Sequence, residues 1–236
     1  MGVFFIEAEP IMNTYSLNEI EAMGKCASKG AGMHWGHAEE AGKAVRWLAQ
    51  RGLPGPELLS ACLSEFDRVS YDDLTPSLNE ATWQNNSSQA VSRQQCPLIT
   101  GPILCDYAEE FKAHSIVDFK SVSHPLLLTP YMAIVAKTTE QTLKLSWSGV
   151  KITLSDTQCH IDGLPVDLFT QRADLVTCQQ GSVQKNTPNS LNHSQTGRSV
   201  PPETWAQLTT FSYRTYAPAT EASRLSGAGA GVRDND

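Results

Sequence analysis

His34, His37 and Glu40 stand at three-residue intervals in the stretch "GAGMHWGHAEEAGKAVRWLA". On a helix that spacing keeps all three close to one face. Imidazole and carboxylate are the side chains of general acid–base catalysis and of metal ligation. Three ligands on successive turns of one helix converge poorly on a single ion, and the two histidines lack the four-residue step of HExxH. The expectation is therefore acid–base work by His37 and Glu40, with no metal. Trp35 lies between the histidines, where an aromatic ring beside polar groups suits a pocket wall. His34 and Trp35 are thus ligand-binding candidates. The competing reading is a solvated helix start, where the positive end of the dipole favours Glu39 and Glu40 without any chemistry.

A second group closes the chain, in "SYRTYAPATEASRLSGAGAGVRDND". Arg214 and Arg224 carry the planar guanidinium that grips carboxylate or phosphate through two bonds. Tyr216, Glu221 and Ser223 stand beside them as further ligand-binding candidates. The alternation of Gly and Ala from Gly227 to Gly231 permits close backbone approach and supplies no side chain for a core. The competing reading is a frayed terminus, its arginines paired on the surface with Glu203 or Glu221.

Other motifs carry less. The GxG at Gly30–Gly32 follows a helix rather than a strand, which argues against a dinucleotide fingerprint. Its helix start still offers free N–H groups to an anion. Cys96 and Cys105 could act as nucleophiles beside His114 or His124, though no local signature marks them and cysteine is most often a small buried hydrophobe. His160 stands at a strand end.

The elements that must position these residues are legible in part. Ser16 and Glu19 form a capping box ahead of Leu17, Ile20, Met23 and Ala27 at helical spacing. Gly30 to Gly32 ends that helix, and a second runs from about residue 33 to 50 with Ala38, Ala41, Val45 and Leu48 inward. Pro56 opens a third, with Leu58, Leu59, Cys62, Leu63 and Phe66 available for burial. Residues 71–95 read as weakly patterned and end in a polar loop, "NNSSQAVSRQQ". The stretch "HPLLLTPYMAIVAKTTEQTLKLSWSGVKITLSD" reads as a β-meander: a strand over residues 131–136, then Leu143, Leu145 and Trp147, a turn at Ser148–Gly149, and Val150, Ile152 and Leu154. "ADLVTCQ" adds another strand. A polar loop spans residues 181–200, and a final helix starts at Pro201–Pro202 with Trp205, Leu208, Phe211 and Ser212 inward. The class is α+β: an N-terminal helical hairpin plus third helix, a central antiparallel β-meander, and a C-terminal helix with a Gly-Ala tail. Residues 1–11 read as an extension, because the helical pattern begins just after Met12. Residues 12–236 read as a single domain.

The chain has 236 residues, enough for a buried core, and a net charge of −7 with no Lys/Arg cluster. That balance argues against a nucleic-acid partner. The apolar runs are too short for a membrane span. Six dispersed cysteines without a CxxC suit free thiols in a reducing cytoplasm.

The segments "SLNEIEAMGKCASKGAGMHWGHAEEAGKAVRWLAQRGLPG" and "RTYAPATEASRLSGAGAGVRDND" together resemble a bacterial family catalogued as a domain of unknown function. The resemblance implies a stand-alone bacterial cytoplasmic protein and favours function over fraying for the tail. It implies no activity, cofactor or catalytic residue. Two functional readings follow. One is an enzyme acting on a small anionic metabolite, with the start of the second helix and the tail meeting over the sheet. The other is a non-catalytic accessory or binding subunit, homo-oligomeric or bound to a partner protein, whose tail docks on that partner.

Overall fold

The structure, a computed structural model, describes residues 12–79, 82–85, 94–109, 112, 114–181 and 195–216. The expected extension over residues 1–11, the tail residues Glu221, Ser223 and Arg224, the Gly-Ala run and most of the expected 181–200 loop lie outside the described residues.

A short strand, β1 (Asn13–Ser16), leads into α1 (Leu17–Gly30). Ser16 and Glu19 form the expected capping box: Ser16 N–H donates to Glu19 Oε2 at 2.8 Å, and Glu19 N–H donates to Ser16 Oγ at 3.3 Å. Two otherwise orphaned donors of the helix start are satisfied together. α2 (Trp35–Gln50) returns along α1 with Ala38, Ala41, Val45 and Leu48 buried, as their spacing predicts. Gly42 lets the two helices touch, since a Cβ there would stand 2.7 Å from the Glu21 carbonyl oxygen. α3 (Gly55–Glu65) opens with Pro56 in its first turn and buries Leu58, Leu59, Cys62 and Leu63.

The next region holds more regular structure than its sequence predicts. A turn of helix, α4 (Tyr71–Leu74), precedes β2 (Pro76–Asn79) and β3 (Thr82–Asn85), which pair antiparallel. α5 (Pro97–Asp106) and β4 (Ile116–Ser123) follow. The expected strand over residues 131–136 is instead part of α6 (Thr129–Thr139), entered through a 3-10 turn, Pro125–Leu128. A short apolar run cannot distinguish a buried strand from a buried helix. Here Pro130 suits a first helical turn, and Met132, Val135, Ala136 and Thr139 bury one face at helical spacing. Gly101 of α5 accommodates the Tyr131 ring, because a Cβ at Gly101 would come within 2.1 Å of it.

The rest of the meander is present. β5 (Leu143–Trp147), β6 (Val150–Leu154) and β7 (Cys159–Asp162) pair antiparallel in turn, and β8 (Arg172–Gln180) lies between β4 and β5. The seven-stranded sheet runs β2-β3-β4-β8-β5-β6-β7, antiparallel except for the β3–β4 pair. Leu145 stands opposite both Ile152 and Cys178, and Val117 opposite Cys178, so one face is continuously apolar and joins the core formed with the helices. Lys144, Lys151, Thr153 and His160 hold the alternate positions. β9 (Gly197–Val200) pairs with β1, and α7 (Pro202–Tyr213) packs on α1 with Leu208, Phe211 and Ser212 buried. Trp205, expected inward, is partly buried and stacks on Tyr15 at 3.5 Å between ring centroids.

The class is thus α+β, with helices first and a strand meander after them. Among the described residues, no helix is long and apolar enough to cross a membrane.

Candidate functional site

α2 begins without a capping side chain. His34 occupies the N-cap, its backbone extended, and its side chain makes no cap hydrogen bond. The N–H groups of a first helical turn have no partner within the helix and carry its positive dipole end. Gly36 keeps this end open, since a Cβ placed there would meet nothing within 4 Å.

Trp35 is 52% exposed and lies against α1. The ammonium groups of Lys25 and Lys29 stand 5.5 and 5.4 Å from its ring centroid, within cation–π range. Lys25 also pairs with Glu39 at 2.5 Å. Lys29 has no carboxylate partner among the described residues. The lysines beside the helix start therefore come from α1, a contribution that spacing along α2 does not announce.

His37 is half-buried, with His34, Glu40 and Asp106 near enough to act on its charge. Burial is the largest influence and lowers its pKa; His34 adds to this, while Asp106 and Glu40 oppose it. The imidazole is consequently neutral at neutral pH, able to accept a proton. Glu40 receives Lys43 Nζ at 2.7 Å. The expected grouping of His37 and Glu40 is present, and the end of α5 adds Asp106. Among the described residues, no three His, Cys, Asp or Glu side chains gather as metal ligands.

The described part of the C-terminus is held elsewhere. Arg214 Nη1 donates to Asp67 Oδ1 at 2.6 Å, and its guanidinium lies 4.7 Å from the Phe211 ring centroid. Tyr216 is 65% exposed beside Tyr213. These contacts tie the end of α7 to the α3–α4 connection, where a carboxylate, Asp67, takes the charge of Arg214.

A second constellation escaped the sequence reading. Ser123 Oγ, at the end of β4, stands 2.5 Å from Glu65 Oε2 and 2.6 Å from His124 Nδ1. The consistent proton arrangement has Ser123 donating to Glu65 and accepting from the Nδ1–H of a neutral imidazole. Burial pushes the His124 pKa down to about 4, outweighing the carboxylate 3.6 Å away. The backbone is left-handed at Ser121 and His124, with φ of 55° and 43°. Such strain persists where surrounding contacts over-determine it.

These residues resemble a catalytic triad in type and differ from one in order. A nucleophilic serine needs histidine as its base, with the acid on the other imidazole nitrogen. Here both partners bond the hydroxyl, and Ser123 is wholly buried. The group braces α3 against β4. Nothing local announces it, since 58 residues separate Ser123 from Glu65.

The cysteine candidates are inert in this setting. Cys105 donates to the Tyr131 carbonyl at 3.7 Å, and burial pushes its thiol up to about 12. Cys96 is fully buried, and His124, its suggested base, bonds Ser123. All six cysteines are free thiols.

No curated protein matches the chain. Among solved structures it is similar to malate dehydrogenase from Entamoeba histolytica, with 12% identity, a TM-score of 0.37, and coverage of 64% of this chain and 49% of that one. The chain thus spans about half the length of that protein, and so slight a likeness carries no functional argument. The hairpin, its third helix and the segment that follows, residues 15–95, match the model of a family described as protein of unknown function (DUF3726), the family this part of the chain resembles.

Proposed function

We propose that the chain is a bacterial cytoplasmic enzyme that receives a small anionic metabolite at the start of α2 and moves a proton on it with His37. The observation that carries this reading is the uncapped helix start, open at Gly36 and flanked by Lys29 and Trp35. N–H groups, a dipole and an ammonium together suit a carboxylate or phosphate. His37, kept neutral by burial, is the general base, and Glu40 and Asp106 stabilise the imidazolium that forms. Glu221, Ser223 and Arg224, outside the described residues, remain candidates for holding the same ligand.

The test is calorimetric titration of the full chain with a panel of small carboxylates and phosphate esters. Lys29→Gln should weaken binding about ten-fold or more, as removal of one charge-assisted contact does. His37→Gln should leave binding intact and abolish turnover of the bound compound. Binding that ignores Lys29→Gln, or turnover that survives His37→Gln, would sink the proposal.

One observation favours the accessory-subunit reading. Leu164, Val166 and Phe169, in the β7–β8 connection, are 64%, 71% and 49% exposed. Clustered apolar exposure of this kind marks a protein contact. That reading expects Val166→Asp to abolish association detected by light scattering.

A further inference from the structure

The C-terminal ends of α2 and α6 bring two cations to one cavity. Arg51, the residue that ends α2, lays its guanidinium 3.7 Å from the Trp47 ring centroid and donates from Nη1 to the Trp47 carbonyl at 3.2 Å. Its Nε is shut off from solvent and has no hydrogen-bond partner. No carboxylate among the described residues lies within ion-pair distance of it. Lys137, in the last turn of α6, lines the same cavity, about 230 Å³ in volume, together with the Ser155–Cys159 turn between β6 and β7. Asp156 is the carboxylate among the lining residues, so two cations face one anion.

A cation at a helix C-terminus is favoured by the dipole, and that accounts for one positive residue on each helix. It accounts neither for their convergence on a cavity nor for the unbonded Nε. Arg51 has given up hydration without receiving a counter-charge, which leaves an unsatisfied donor at a cost. Stacking on Trp47 occupies one guanidinium face and Nη1 is spent on a carbonyl. The Nε–Nη2 edge, which binds an oxyanion through two parallel bonds, takes no bond among the described residues.

We propose that this cavity binds a small oxyanion, a carboxylate or a phosphate, between the Arg51 guanidinium and the Lys137 ammonium. The cavity is smaller than the ~300–1,000 Å³ of sites for drug-sized ligands, so the occupant has few heavy atoms. The site lies at the opposite end of α2 from His37, about 21 Å away along the helix axis. It neither uses nor depends on the acid–base reading above.

The experiment follows thermal melting of the full chain with inorganic phosphate and, separately, malonate, at constant ionic strength set with chloride. An occupant of the native state raises the melting temperature with concentration. At least one of the two anions should do so beyond chloride, and which one does identifies the phosphate or carboxylate chemistry. Arg51→Gln and Lys137→Gln should each weaken the apparent affinity roughly ten-fold or more, the scale of a lost hydrogen bond to a charged group. Asp156→Asn should tighten it. Lys137 is exposed, so Lys137→Gln remains a fair test even if Arg51→Gln folds poorly. Absence of a shift with either anion would overturn the assignment. So would a shift that survives Lys137→Gln, or one lost on Lys29→Gln, which would place the anion at the other end of α2.

Discussion

The start of α2 and the Glu65–Ser123–His124 junction use the same side-chain chemistry to opposite ends. Both pair an imidazole with carboxylates, and in both burial lowers the histidine pKa. At the junction the hydroxyl is bonded on both sides, and Ser123 and His124 are closed to solvent. At the helix start the cap is missing, a glycine leaves space and a lysine lacks a described counter-ion. Satisfied polar groups hold a fold together, while unsatisfied ones can still engage something that arrives. Residue type therefore distinguishes the two regions less well than unspent hydrogen-bonding capacity does.

If this contrast is right, junction substitutions should reduce stability and helix-start substitutions should not. The largest effect should come from acid. Unfolded His124 accepts a proton near its ordinary 6.5, whereas the folded imidazole refuses it until about 4. Across that window the unfolded state binds more protons, so stability declines as pH falls, by about 3 kcal/mol in all. His124→Asn, which tolerates the left-handed backbone, should flatten this slope in urea titrations at a series of pH values. Next, Ser123→Ala should cost about 2 kcal/mol by stranding the buried imidazole N–H and weakening the hold on Glu65. Ser16→Ala, which removes a cap that is present, should cost about 1 kcal/mol in the same assay. His37→Gln should change stability least, within about 0.5 kcal/mol, because the side chain is only half-buried and lies outside the apolar core. A loss above 2 kcal/mol there would erase the distinction between the two regions.

What could be read from the sequence follows the range of the forces involved. The capping box, the inward stripe of α2 and Pro56 at the start of α3 act within a few residues, and all stand as predicted. The β5–β6 hairpin was legible for the same reason. α6 was misread because a six-residue apolar run fits either period, and only packing on α5 decides between them. β2 and β3 were missed because neither alternates cleanly. At the site, His37 and Glu40 could be grouped from their spacing. The lysines beside Trp35, Asp106 beside His37 and Asp67 against Arg214 arrive from other elements, and spacing along one helix cannot announce them.

The ribbon of β1 and β9 has a consequence for how the protein is made. Thr14 and Ser199 meet side chain to side chain across 185 positions of chain. A ribosome adding about 5–20 residues per second needs on the order of ten to forty seconds to supply the second strand after the first has emerged. Throughout that interval β1 presents an unpaired strand edge beside a hairpin that can already fold. The contacts of β1 with β9 are thus among the last to close although β1 is made well before its partner, and chaperone contact during synthesis should concentrate there.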